Sequence, residues 1–266
     1  MAGRICFNQF AGNRFIWTAT ISNLEKRNSL TPKMLDELSD FLRTQKHREN
    51  IRVLVMRGEG EKSFSAGYDI SKIRSGAGPE NEEKTSGEVL YRALKEIENF
   101  PAPVIAMING YCIGAGCHLA ATADLRISSE EAKYGITPAK LGLVYHPEGI
   151  YQLFSLIGPA KTKELFYTGD LYSAKEAKEM GLVDYVIPAN KLEETVSGLA
   201  RKIADNAPLS VRGTKYIVNN LAHAVRLDGA VKQNIENLRR EAYASEDIKE
   251  GKQAFAEKRK PIFKGR

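Results

Sequence analysis

The sequence predicts an α/β protein of stacked ββα units around a parallel sheet, followed by a helical C-terminal region. Dense β-branched runs, Ile51 to Met56 and Val104 to Ile108, alternate with segments of helical periodicity. Short glycine turns, Ala66-Gly67 and Gly114-Ala115-Gly116, stand between strands and helices. From Asn190 onward the pattern is helical almost to the end, and no linker composition sets off an independent unit. The chain therefore divides into a ββα core over 1–189 and a helical region over 190–266.

With 266 residues, 42% of them hydrophobic and 27% charged, the chain has the composition of a soluble globular protein with a substantial core. It contains no apolar run long enough to span a bilayer, and its first residues, MAGRICFNQF, lack the apolar stretch of a secretory leader. A cytoplasmic location and no membrane partner are expected. Cys6, Cys112 and Cys117 are odd in number and lack CxxC spacing, which argues against a disulfide framework and against a metal site. They read as small core hydrophobes. The net charge of +6 suits a polyanionic partner. Basic residues are dispersed apart from Lys258-Arg259-Lys260 and are not interleaved with aromatics, so nucleic acid is not the expected partner.

The elements follow in order. Arg4 to Phe10 and Phe15 to Ile21 read as strands around the turn Ala11-Gly12-Asn13. Thr31 is an N-cap with Pro32 at the first helical position, and Met34, Leu35, Leu38, Phe41 and Leu42 carry helical spacing to about Gln45. The strand Ile51 to Met56 is followed by Phe64-Ser65 and the Ala66-Gly67 turn. Arg74 to Gly87 is polar and glycine-rich, a surface loop, and Glu88 to Phe100 is a helix. After the central strand, Asn109-Gly110 breaks the chain before a helix over Gly114 to Ala121. Asp124 to Ser128 is a short strand and Lys133 to Gly142 an irregular stretch. Gly149 to Ile157 and Lys161 to Tyr167 are helical; Ser173-Ala174-Lys175-Glu176 is a capping box, Gly181 ends that helix, and Val183 to Ile187 is a strand.

The chemistry centres on Pro103 to Ala123, where a buried strand meets a side-chain-free turn that opens a helix. The first N–H groups of a helix lack intrahelical partners and sit at the positive end of its dipole, so such a turn suits a developing oxyanion. The same type of turn occurs in Lys62 to Ile70, KSFSAGYDI. Together these two stretches resemble the crotonase superfamily (enoyl-CoA hydratase/isomerase family), whose members carry an FxAGxD loop and a later NGxxxGGG turn. The resemblance runs from about Asn23 through FAEKRKPIFK near the end. It implies the crotonase fold, a superhelix of ββα units with a C-terminal trimerisation region, and a coenzyme A thioester substrate. Coenzyme A is then the carrier part of the substrate, with no separate cofactor and no metal.

Residue by residue, the resemblance makes the backbone N–H groups of Tyr68 and Ala115 the holders of the thioester oxygen. It places Ala66, Asp69 and Ile70 in the coenzyme A loop, Lys26 and Arg27 at the phosphates, and Phe255 and Lys258 at the adenine and phosphate of a neighbouring subunit's site. The implied assembly is a trimer or a dimer of trimers.

The chain departs from that family's hydratases at both catalytic glutamates, which fall here on His118 and Pro138. Proline has no proton to exchange, so two-glutamate hydration is not expected. The stretch YGITPAKLGLVYHPEG instead resembles the TPxxLGxxY pattern of the family's decarboxylases through Thr137, Pro138, Leu141, Gly142 and Tyr145. Those decarboxylases have histidine at the Tyr68 position and glutamate at the His118 position. Decarboxylation of a 2-carboxyacyl-CoA such as methylmalonyl-CoA is therefore the leading expectation. In it Tyr145 orients the carboxylate or protonates the enolate. His118 is read either as a proton donor facing the pocket or as a neutral core residue. Glu148 is either a displaced acid/base or a turn residue, and His146 is read as a surface residue. The alternatives are a hydratase or isomerase with unusual acid/base residues, and a non-catalytic acyl-CoA- or RNA-binding protein.

Overall fold

Two continuous apolar strands, β3 (Val53–Gly58) and β5 (Val104–Ile108), form the centre of a six-stranded sheet. Around them lie β1 (Arg4–Phe10), β2 (Asn13–Ser22), β7 (Leu125–Ser129) and β10 (Tyr185–Ile187), in the order β1-β2-β3-β5-β7-β10. The β1–β2 hairpin is antiparallel and every other pairing is parallel. A parallel sheet needs cover on both faces, and the alternation along its strands provides it. Leu54, Met56, Val104, Ala106 and Ile108 face one apolar cluster, and Val53, Val55, Ile105 and Met107 face another. The computed structural model describes residues 3–10, 12–46, 50–69, 86–222 and 244–262, with residues 229, 233, 237 and 240 between; for Ser86 and Glu148 it describes the backbone alone.

A second sheet holds β4 (Ser63–Ser65), β6 (Tyr111–Ile113), β8 (Lys133–Gly135) and β9 (Tyr172–Ser173), in that order. The strands interleave: β3-β4 leads to α2 (Ser86–Glu98), β5-β6 to α3 (Ala115–Thr122), and β7-β8 to α4 (Pro147–Thr168). Each unit gives its first strand to the large sheet and its second to the small one, which is the stacking the sequence predicts. The three-residue strands β6 and β8 are not foreseen, since Lys133 to Gly142 reads as irregular and Tyr111 to Ile113 as part of a glycine break. A strand of three residues is too short to show period-two alternation. Close backbone crossing makes the second sheet possible. A Cβ on Gly58 would lie 2.0 Å from the Ser63 carbonyl oxygen, and one on Gly110 2.2 Å from that of Lys62. β3 also starts two residues later than the β-branched run suggests.

The helix α1 (Pro32–Gln45) follows the predicted bounds, with Thr31 accepting from the Met34 N–H at 3.3 Å and Pro32 in the first turn. Ser173 and Glu176 form the expected capping box at the head of α5 (Ala174–Glu179). α4 is broken at Gly158-Pro159, where Gly158 has φ 70°, so the two predicted helical segments meet at a kink.

In the C-terminal region, α6 (Leu192–Ala204) presents Leu192, Val196, Ala200 and Ala204 to the face of the large sheet lined by Val53, Val55 and Ile105. This helix shares the core of the strands. α7 (Pro208–Ala222) is fastened by Lys215, whose buried ammonium donates to Asp124 Oδ2 at 2.7 Å and to the Ala102 carbonyl at 3.2 Å. α8 (Glu246–Ala256) packs on the one-turn 3-10 segment Pro138–Leu141 so closely that a Cβ on Gly251 would lie 2.8 Å from the Leu141 backbone. The three cysteines are unpaired; Cys112 and Cys117 are buried, and burial pushes the Cys112 thiol well above its usual range. Among the described residues no helix is long and apolar enough to cross a membrane.

Candidate active site

The site begins with a left-handed turn. Arg27 and Asn28 both have positive φ, 51° and 57°, a conformation asparagine tolerates because its short amide bonds to nearby backbone. Buried Asn28 donates through Nδ2 to the carbonyls of Glu59 (2.9 Å) and Ser63 (2.8 Å), while its Oδ1 accepts from the Asn23 N–H at 3.0 Å. The turn is thereby clamped to the end of β3 and the start of β4. It in turn holds the next loop: the Ala66 N–H donates to Arg27 O (3.0 Å), Leu30 N–H to Gly67 O (2.8 Å) and Asp69 N–H to Leu30 O (2.9 Å). In this parallel bridge between Leu30 and Tyr68, the bonds to Leu30 come from the residues flanking Tyr68. The Tyr68 N–H is therefore directed to the opposite edge, toward the chain that follows β6.

That chain is the glycine turn. Gly114 (φ 53°) donates to the Gly135 carbonyl at 2.8 Å and leads into α3, whose first residue is Ala115. As the first helical residue, Ala115 has no acceptor one turn back, and its N–H lies at the positive end of the helix. Gly67 (φ 97°) faces it: a Cβ there would fall 2.8 Å from Ile113 O and 3.5 Å from Ala115 N. Gly116 is required as well, since a Cβ would lie 2.6 Å from that of Ser65. The Tyr68 and Ala115 backbones thus share one wall of a cavity of about 140 Å³.

The cavity is also lined by a histidine and a tyrosine in contact with each other. His118 is fully buried on α3, and its Nδ1 lies 3.0 Å from the Tyr145 hydroxyl, the two rings stacked at 5.3 Å. Burial lowers the His118 pKa to about 4; Gln152 and the Gly149 backbone oppose the shift without reversing it, and His146 adds to it. The imidazole is therefore neutral at pH 7. It is a buried, neutral residue that also lines the pocket. The pair fits because residue 149 is glycine, where a Cβ would meet His118 Cε1 at 2.1 Å and Tyr145 Cε1 at 2.9 Å. Phe166 supports Tyr145 edge-on at 5.5 Å. Thr137, Pro138, Leu90, Leu94, Leu141 and Val144 complete a largely apolar lining.

Of the candidate residues, Ala66, Tyr68, Ala115, His118, Thr137 and Tyr145 come together around this cavity. Lys26 and Asp69 meet in an ion pair at 2.8 Å with Lys26 57% exposed, so the ammonium bridges two loops and adds little stability. Arg27 is exposed beside it. Phe255 and Lys258 lie exposed at the end of α8 and do not line the cavity; α8 itself packs on its own chain's cavity wall. Ile70, residues 74–85 and the Glu148 side chain lie outside the described residues. His146, read as a surface residue, is corrected: it lines the cavity and stacks on Tyr91 at 4.9 Å. Tyr91 and Gly149 went unnoticed in the sequence as site residues, because nothing local marks a helix residue that meets the site only across the fold.

A sequence profile described as enoyl-CoA hydratase/isomerase matches residues 12–266. YngF of Bacillus subtilis is 34% identical over 95% of this chain and 96% of its own length. The carnitinyl-CoA dehydratase of Salmonella typhi is 33% identical over 91% and 92%. Among solved structures, methylmalonyl-CoA decarboxylase in complex with 2-nitronate-propionyl-CoA superposes with a TM-score of 0.90 at 29% identity, covering 99% of both chains. An enoyl-CoA hydratase from Bacillus anthracis is closer in sequence (34%, 99% and 100% covered) but less alike in shape, with a TM-score of 0.73. The chain belongs to the enoyl-CoA hydratase/isomerase family, the crotonase superfamily, and is an enzyme of that family with its fold.

The lowered His118 pKa carries a stability consequence. The unfolded chain takes up a proton near the ordinary value of 6.5 and the folded chain only near 4. Stability is thus present above 6.5 and lost as pH falls between the two values. The full loss is about 3 kcal/mol at about 1.36 kcal/mol per pH unit. Denaturation of the His118→Asn variant should show a loss between pH 6.5 and 4 smaller by an amount of this order. Equal losses in the two proteins would contradict the buried neutral imidazole.

Proposed function

We propose that the chain decarboxylates a short 2-carboxyacyl-CoA thioester such as methylmalonyl-CoA. The observation that carries this reading is the neutral Tyr145–His118 pair facing the turn at Gly67 and Ala115 in a cavity where no carboxylate is found among the described lining residues. Loss of carbon dioxide needs no base: the electrons of the breaking C–C bond enter the thioester, and the resulting enolate oxygen is held by the N–H groups of Tyr68 and Ala115. Removing one such donor typically costs ~100-fold to 1000-fold in rate. The apolar wall leaves the departing carboxylate poorly solvated. Tyr145 orients that carboxylate and then delivers a proton to the enolate carbon. Pro138 supplies none.

A cavity of about 140 Å³ suits a small acyl group, since a space of about 150 Å³ accommodates benzene. The coenzyme A phosphates are assigned to Lys26, Arg27 and Lys258 and the adenine to Phe255, with the carrier held beside Ala66, Asp69 and Ile70; Glu148 is kept as a turn residue. The location is assigned as cytoplasmic. The TM-score of 0.90 with methylmalonyl-CoA decarboxylase supports this reading. A hydratase, dehydratase or isomerase is the second reading, favoured by the sequence likeness to carnitinyl-CoA dehydratase; there His118 and Tyr145 would hold water. The paired turn glycines argue against a non-catalytic protein.

Incubation with a panel of acyl-CoA thioesters should show turnover of methylmalonyl-CoA and little hydration of crotonyl-CoA. Tyr145→Phe should lower kcat with KM nearly unchanged, because its hydroxyl acts chiefly in the transition state. Rapid hydration of crotonyl-CoA without carbon dioxide release from methylmalonyl-CoA would overturn the assignment in favour of the second reading.

Self-association as a trimer or a dimer of trimers is proposed on the apolar surface of α7, where Leu209 is 83%, Tyr216 70% and Leu221 70% exposed. Light scattering should report a multiple of three, and a monomer would contradict it.

A further inference from the structure

Two rings that the proposed reaction does not use bound the acyl cavity of about 140 Å³. Tyr91 of α2 and His146, the residue just before α4, both line it and stack with their ring centres 4.9 Å apart and 30° between their planes. The contact therefore joins α2 to the head of α4. The Lys95 ammonium, one turn further along α2, lies 5.6 Å from the centre of the Tyr91 ring, a second and weaker contact on the same group. The His146 side chain makes no capping hydrogen bond to α4, and its ring lines the cavity.

α2 lines the cavity with Gly87, Leu90, Tyr91 and Leu94, and these side chains differ in depth. Leu90 and Leu94 are buried members of the main apolar core, whereas Tyr91 and His146 are each only half-buried. The stacked pair thus touches the cavity and solvent at once, and its rings can be changed without opening the core.

We propose that the Tyr91–His146 stack sets the length of acyl group that the enzyme accepts, by closing the cavity where a longer chain would leave it. This rests on the reading of the cavity as the acyl site of a coenzyme A thioester. The carrier is assigned to the loop after β4, around Ala66 and Asp69, so the acyl chain runs from the turn at Gly67 and Ala115 toward the side built by α2 and α4. A space of about 150 Å³ accommodates benzene, so about six carbons fill this one and a longer chain must displace a ring. One methylene too many in a close-fitting apolar pocket costs about 10-fold to 200-fold. Truncating Tyr91 to alanine removes the ring and gives a longer chain a way out to solvent.

Calorimetry of the full chain with propionyl-, butyryl-, hexanoyl-, octanoyl- and dodecanoyl-CoA tests the proposal, and these saturated ligands require no turnover. The wild type should lose about tenfold or more in affinity between butyryl- and octanoyl-CoA. Tyr91→Ala should bind octanoyl-CoA about as tightly as butyryl-CoA while holding propionyl-CoA as the wild type does, which also shows that the variant is folded. His146→Ala should move the break in the same direction. Tyr91→Phe, which keeps the ring, should keep the wild-type break. The same break in the wild type and Tyr91→Ala would overturn the proposal, as would a wild type that binds dodecanoyl-CoA as tightly as butyryl-CoA. A uniform loss of affinity for every chain in Tyr91→Ala marks a merely structural role and overturns it too. Absence of binding for all five ligands in the wild type refutes the acyl-site reading together with the proposal. A protein with the expected length breaks that releases no carbon dioxide from methylmalonyl-CoA supports the stack while refuting the decarboxylase reading, so the two failures are distinguishable.

Discussion

The close approach of two glycine-bearing loops is the constraint on which the rest of the structure depends. The Gly67 loop and the Gly114 turn meet with no room for a side chain, a Cβ on Gly67 falling 2.8 Å from Ile113 O. Both glycines have positive φ, the region in which other residues are strained. The interleaving of the two sheets brings these loops together: β4 and β6 are neighbours in the small sheet, so the turns that follow them emerge side by side. The Asn28 clamp fixes the first loop from outside, and the Gly114–Gly135 hydrogen bond fixes the second. The backbones of both loops are thus held by hydrogen bonds within the chain itself, the kind of fixed arrangement on which electrostatic stabilisation depends.

Against that rigid wall, the proton-bearing side is tuned by exclusion of water. Desolvation decides the charge of His118, outweighing the contributions of Gln152 and Gly149 that favour protonation. A neutral imidazole beside a phenol leaves this part of the cavity without a fixed charge from either ring. The same small-residue logic recurs here. Gly149 lets α4 pack against the His118–Tyr145 pair, as Gly116 lets α3 press on Ser65.

Much of this was legible in the sequence because it is written locally. The AG loop, the glycine turn, the Thr31 cap and the Ser173 capping box are contiguous patterns that can be found without knowing the fold. The coexistence of apolar runs with glycine turns pointed to ββα units. What escaped was non-local. The strands β6 and β8 exist because their partners align them, and their own three residues carry no period. His146, read as a surface residue, stacks on Tyr91 of α2, a contact that sequence neighbours do not reveal. Gln152 and Gly149 read as ordinary residues of a helix until α3 is laid against them. That α6 would cover the large sheet was equally hidden, since its apolar stripe says only that it packs.

The central claim is that the backbone amides of Tyr68 and Ala115 are arranged for an enolate. The most direct test is calorimetric comparison of two coenzyme A ligands of the same size, a planar anionic enolate mimic such as a nitronate and the neutral saturated acyl-CoA. The account predicts binding of the mimic tighter by about 100-fold or more, the lower bound for ligands resembling a transition state. It also predicts that the preference disappears in Gly67→Ala, whose added methyl collides with the Ile113 carbonyl. Equal affinity for the two ligands in the wild-type protein would contradict it.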